Sequence, residues 1–404
     1  MRAAIAILGV VGAALSTGSA RAQVSFQGLG VLPSSTFSSA FAVSGNGQVV
    51  VGESGGVPHA FQWTAGGGMQ DLGVLAGAAS SSAKGVSADG SVVVGVSGTR
   101  AFRWTAGKGM QDLGVLPGGT GSSAAAVSGD GQTIVGYSTT STTLAFRWTA
   151  LTGMQSLGLL PNANFSAAQA VSYDGAVVTG YSDATPAGPR GFRWTAAAGL
   201  TDLGVLPSGS VVQPYGIAGG GGTIVGSANG VGGARAFRWT AAGGMVNLGA
   251  LPTGVESGAK AISGNGRAIV GYSDTFFGLR AALWTPTAGV TSISDLLEFY
   301  GVDLAGWTLL NATGVSSDGL TIVGTGSGPG GQQAWIAKLP VLPCYANCDG
   351  SSTAPILNNN DFICFLNKYM AGDTAANCDG STAAPVLDIY DFLCFQQKVA
   401  AGCP

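Results

Sequence analysis

The chain has 404 residues, with 17 Lys and Arg against 20 Asp and Glu, so a formal net charge of -3 leaves no basic surplus to meet nucleic acid and no polybasic membrane patch. Only 9% of the residues are charged, against a usual quarter, and 69 are glycine, which points to a β-rich chain with many tight turns. All six cysteines (Cys344, Cys348, Cys364, Cys378, Cys394 and Cys403) fall near the C-terminus, an even number in a small segment, so the rest of the chain must hold itself together without disulfides.

In chain order, residues 3–15 are strongly apolar but shorter than the roughly 20 residues of a membrane-spanning helix. Ala20-Arg21-Ala22 follows as a small-x-small cleavage pattern. The expectation is a signal peptide over residues 1–22, export to the cell surface or medium, and no membrane span in the mature chain.

From residue 23 to residue 340 one pattern repeats. The tripeptides His59-Ala60-Phe61, Arg100-Ala101-Phe102, Leu144-Ala145-Phe146, Arg190-Gly191-Phe192, Arg235-Ala236-Phe237, Arg280-Ala281-Ala282 and Gln333-Ala334-Trp335 mark seven copies. Each copy holds four short apolar pieces separated by turn residues. In the third copy these are residues 124–128, 133–137, 145–149 and 154–157, with Gly129-Asp130-Gly131 as a hairpin turn. Four antiparallel strands at this period predict an all-β, seven-bladed propeller. The chain has a lone strand at residues 26–30 and a last copy without a fourth strand, so the N-terminal strand is expected to close the last blade. The Phe and Trp of the third strands alternate with Arg and Thr and are read as blade-to-blade core. Arg103, Arg147, Arg193 and Arg238 are expected to pair with fourth-strand carboxylates such as Asp112 and Asp202. Residues 292–312 break the pattern with a Leu-rich stretch of helical spacing, either a cap on one end of the ring or a recognition loop.

The "HAF" and "RAF" tripeptides, "VSxDG" turns and "IVGY" strands resemble the HAF repeats of exported bacterial proteins. That resemblance implies an architecture and carries no activity.

After a Pro-containing linker (341–343), residues 344–404 hold two near-copies of one loop. Asn347, Asp349, Ser351, Asn358 and Asp361 in the first, and Asn377, Asp379, Ser381, Asp388 and Asp391 in the second, stand at positions one, three, five, nine and twelve of an EF-hand-like calcium loop with three inserted residues. Two carboxylates in the first loop and three in the second predict modest affinity, on the order of 10⁻⁴ to 10⁻³ M, tighter in the second. A helix should follow each loop, with Phe362, Phe365, Leu366 and Tyr369 as one apolar stripe and Phe392, Phe395 and Val399 as the other. Internal symmetry allows Cys348–Cys364 with Cys378–Cys394, or the crossed Cys348–Cys394 with Cys364–Cys378, leaving Cys344 and Cys403 to clasp the ends.

The paired "NCDG…DF[IL]CF" units resemble a GC-type dockerin. This implies a small α-helical, disulfide-stapled module that docks on a cohesin-like partner of a scaffold or cell surface. Dockerins often ride on polysaccharide-processing enzymes of the glycoside hydrolase type, so the resemblance admits that reading, or a carbohydrate-binding propeller, beside a non-catalytic display domain. Against catalysis, the single histidine, His59, occupies a position where four other copies carry Arg, and no carboxylate pair stands out among Glu53, Asp183, Glu256, Asp274, Asp295, Glu298 and Asp303.

Overall fold

A computed structural model describes residues 24–183, 188–286, 289–340 and the helix Asn359–Met370. The described residues between 24 and 340 form seven four-stranded antiparallel sheets, six of them with their strands side by side in chain order and the seventh completed by the N-terminal strand. In the third blade the strands are Gly121–Val127, Ile134–Thr139, Thr143–Thr149 and Gly153–Gly158. They extend past the expected pieces because glycine and serine continue the ladders where apolar residues stop.

The ring closes as the unmatched end strands require. Strand Ser25–Gly28 is the outer strand of the last blade, paired with Gly331–Lys338 in the register Phe26↔Ala337 and Gly28↔Trp335. Phe26 meets Trp307 edge-on at 5.4 Å between ring centroids, and a Cβ on either Gly28 or Gly328 would lie 2.4 Å from the Trp307 ring. The third-strand Phe61, Phe102, Phe146, Phe192 and Phe237 are fully buried, as core between blades. The helix Ile293–Phe299 is capped by Ser292, whose Oγ accepts from the Asp295 amide. It buries Ile293 and Leu297 among Leu283 of the sixth blade and Leu309 and Trp335 of the seventh, so the Leu-rich insertion is a wedge between two blades.

In five of the seven blades three buried serines carry much of the polar satisfaction. Ser122 Oγ donates to Gly114 C=O at 2.6 Å and accepts the Ala101 amide at 3.0 Å, tying the third blade's inner strand to the second blade. Ser81, Ser166 and Ser257 repeat this arrangement, and Ser38 does so across the closing seam, where it accepts the Ala334 amide at 2.9 Å. A second serine, Ser138, accepts from Leu116 and donates to Gly121. The third, Ser128, donates to Asp130 and accepts the Thr133 amide, fixing the hairpin turn. The fifth blade has Val212, Ala228 and Ala218 at these places. Its compensation is visible across the blade boundary: where other third strands carry Ala, Gly191 of the fourth blade leaves room for Val212, whose Cγ1 would lie 2.8 Å from a Cβ there.

The hairpin turns make a continuous belt. Asn46 donates its amide to Ala88 C=O, Ala88 to Gly129, Gly129 to Tyr173, Tyr173 to Gly219, Gly219 to Gly264, Asn265 to Ser317, and Ser317 back to Gly45, at 2.9–3.1 Å. The belt needs close approach: a Cβ on Gly129 would meet the Tyr173 ring at 2.2 Å.

Two outcomes test this framework. Ser122→Ala orphans the Gly114 carbonyl and the Ala101 amide, both in a buried seam, and should cost on the order of 2–4 kcal/mol in urea unfolding. Deleting residues 24–30 should lower the melting temperature and broaden the transition by leaving the last blade's strand 331–338 as an open edge; calorimetry reads both.

Candidate functional site

The inner strands hold the feature that the repeat pattern does not explain. In every blade the first strand slips register against the second at one equivalent place, between Ala40 and Ala42, Ala83 and Gly85, Ala124 and Ala126, Ala168 and Ala170, Pro214 and Gly216, Ala259 and Ala261, and Ala312 and Gly314, and the seventh blade has a further slip between Leu309 and Asn311. The unpaired residue of each bulge is Phe41, Lys84, Ala125, Gln169, Tyr215, Lys260 or Thr313, and all seven line one central cavity of about 600 Å³. A bulge re-aims a side chain at the cost of one ladder position. Its neighbours are small because adjacent inner strands nearly touch: a Cβ on Gly85 would lie 3.1 Å from the Ala126 backbone, and one on Gly314 the same distance from Ala42.

This ring of seven was missed from sequence. The signal was present in the aligned copies "SSAFAV", "SSAKGV", "SSAAAV", "SAAQAV", "VQPYGI", "SGAKAI" and "LNATGV". The fourth column varies freely between two columns almost confined to Ala and Gly, and the small-X-small triplet breaks strand alternation.

Two of the bulged residues are lysines with different surroundings. The Lys84 ammonium lies 3.8 Å from the Phe41 ring centroid and 3.9 Å from the Glu53 carboxylate. Burial pushes its pKa below the ordinary lysine value, partly opposed by Glu53. The Lys260 ammonium lies 3.9 Å from the Tyr215 ring centroid and 5.6 Å from that of Tyr272, and among the described residues no carboxylate stands within ion-pair distance. Burial alone lowers its pKa. The Tyr215 phenol, which donates to Gln213 at 2.8 Å, is pushed up to about 12 by burial and by the neighbouring Tyr272 and Tyr181. Tyr181 is raised by burial and by Tyr137, and of these tyrosines Tyr137 and Tyr215 line the cavity. Among the described residues lining the cavity there is no Asp, Glu or His. The arrangement offers cations, aromatic faces and amides, a chemistry of holding.

The sequence-predicted charged residues fall elsewhere. In three blades a fourth-strand carboxylate pairs with the residue opening the tripeptide: His59 Nδ1 with Asp71 at 2.8 Å, Arg100 with Asp112 at 3.0 Å and Arg190 with Asp202 at 2.9 Å. The expected pairing through Arg103, Arg147, Arg193 and Arg238 is therefore corrected, and pleat parity gives the reason. Asp112 is in register with Phe102, on the face shared by Arg100, whereas Arg103 is opposite Gln111 on the other face. Arg147 instead donates to Thr133 Oγ1. The same repetition makes His59 a strand-face pair, equivalent to two arginines. Asp274 accepts the amides of Val255 and Glu256, and Glu53 faces Lys84.

The expected calcium ligands Asn347, Asp349, Ser351, Asn358, Asn377, Asp379, Ser381, Asp388 and Asp391 lie outside the described residues, as do residues 1–22, the linker 341–343 and all cysteines but Cys364. Of Asp361 only the backbone is described, near the start of the helix Asn359–Met370. On that helix Phe365 is buried and its ring lies 6.0 Å from that of Tyr369, in line with the expected stripe. Cys364 is not a free thiol, and its partner lies outside the described residues. Among the described residues no cluster of three or more His, Cys, Asp or Glu stands ready for a metal, and no helix is long and apolar enough to cross a membrane.

No family model and no curated protein matches the sequence. Solved structures do resemble the fold. An oligogalacturonate lyase from Vibrio parahaemolyticus is 10% identical with a TM-score of 0.54, covering 79% of this chain and 97% of that one. An oligogalacturonate lyase in complex with manganese is 10% identical with a TM-score of 0.52 over the same shares. TolB from Acinetobacter baumannii is 14% identical with a TM-score of 0.40, and this chain spans 51% of its length. At these identities the likeness to the lyases is one of fold, the seven-bladed propeller.

A desolvated ammonium without a countercharge costs stability. For Lys260 the cost is fully present below its lowered pKa and fades as pH rises to the ordinary lysine range. Lys260→Met should therefore raise the melting temperature by a few degrees at neutral pH, the gain vanishing in strong alkali, as read by thermal scans of both proteins across pH.

Proposed function

We propose that this chain is an exported, non-catalytic binding propeller of HAF repeats. In this reading residues 344–404 form a calcium-dependent, disulfide-stapled dockerin-like tail that fixes the propeller to a cohesin-like scaffold or cell surface. The observation that carries the binding role is the central cavity: between columns almost confined to Ala and Gly, its seven bulged positions carry Phe41, Lys84, Ala125, Gln169, Tyr215, Lys260 and Thr313. A concave surface lined by differing aromatic, cationic and polar side chains is what a dedicated ligand site requires. The described lining offers neither the paired carboxylates of sugar hydrolysis nor an imidazole base. Support for the tail comes from its sequence, where five oxygen-bearing positions recur twice in register.

The tail is tested by capture of the full-length chain on immobilised cohesin domains. Capture should occur in millimolar calcium and be lost in excess chelator; equal capture under both conditions would remove the calcium-dependent hook. Asp391→Ala, at the twelfth position of the loop richer in carboxylates, should weaken capture more than Asp361→Ala.

A further inference from the structure

We infer that the central cavity takes an acidic saccharide, with a sugar carboxylate on Lys260, a sugar hydroxyl on Asn311 and the sugar's C–H face on Tyr137. This rests on the reading of the propeller as a binding domain and specifies its ligand class.

Charge comes first. Lys84 and Lys260 occupy the same bulge position in the second and sixth blades, and both lie over an aromatic ring. Lys84 has a countercharge built into the fold in Glu53; Lys260 has none among the described residues. The cavity therefore holds one uncompensated positive charge close to aromatic surface, which suits a single carboxylate better than a dianionic phosphate. The second observation is independent. Asn311, on the inner strand of the adjoining seventh blade, lines the same cavity, and its Oδ1 is buried with no hydrogen-bond partner among the described residues. A buried amide oxygen requires a donor, and a carboxylate cannot supply one, whereas a hydroxyl can. The third is shape and surface. Tyr137 lines the cavity and is 37% exposed, so flat aromatic area remains beyond the ring that Lys260 covers. One carboxylate, several hydroxyls and apolar C–H faces on one rigid ring describe a uronic acid unit, and about 600 Å³ lies within the usual range of small-ligand sites.

The test is calorimetric titration of the purified full-length chain with the trimers of galacturonic acid and of mannuronic acid, beside neutral galactotriose and sodium acetate. Binding of at least one acidic trimer, with neither neutral trimer nor acetate approaching its affinity, is the expected result. Lys260→Met should weaken binding by roughly tenfold or more and Asn311→Ala measurably, while Lys108→Met on an outer turn leaves it unchanged. Circular dichroism and melting confirm that each variant is folded. Equal affinity for galactotriose, acetate binding as tight as the trimer, an unaffected Lys260→Met, or no binding of any acidic trimer by the folded wild type would each overturn the acidic-saccharide inference and leave the display reading intact. Shortening of a bound trimer, seen by mass spectrometry, would instead overturn the non-catalytic reading while upholding the ligand class.

Discussion

The seven innermost strands converge on one axis, and the room between them decides what each residue there can be. Where neighbouring strands pass, an added Cβ at Gly85, Gly216 or Gly314 would stand 3.0–3.1 Å from the nearest atoms, so the columns flanking the bulge are held to small residues. A regular strand in that space would place its side chains against its neighbours. The bulge resolves the crowding by turning one residue per strand into the cavity, where its size is not held to that of the flanking columns. The same constraint that keeps the flanking columns small leaves the ring of bulged positions between them varied.

The frame around this ring is stapled mainly by hydroxyls and backbone amides. Each seam-bridging serine both donates and accepts, so a side chain of two heavy-atom bonds satisfies a carbonyl and an amide of the neighbouring repeat. The belt of turn-to-turn hydrogen bonds passes through all seven blades and returns to its start, which makes every blade's position dependent on the whole circuit. With 9% charged residues, the chain relies little on ion pairs, and apart from Lys84–Glu53 beside the cavity those among the described residues involve the outer strands, partly exposed, where each is worth little.

Blade number, strand number and ring closure were legible from the aligned tripeptides, the turn glycines and the unmatched strands at each end, because each is a local consequence of period and turn chemistry. Side-chain partnerships were less so. Arg103 lies next to Arg100's face in sequence but across the sheet in space, and only the register of Phe102 with Asp112 decides which of them meets the carboxylate. The cavity ring was hidden for a related reason: a bulge adds one residue to the alternation, so Lys84 and Lys260 read as ordinary strand residues until the register is known. The buried acceptor of Asn311 carries no sequence signal at all, since an unsatisfied atom is a property of its surroundings.

Gly191 and Val212 lie in different blades, yet each is shaped to the other. The unit that can be exchanged within this molecule is therefore not the blade. Transplanting the fifth blade elsewhere in the ring would set its valine against an alanine, and removing it would leave a glycine facing nothing. Recombination among the copies is tolerated only when both halves of a joint travel together, so duplication and drift here must act on interfaces, with the blades as what lies between them.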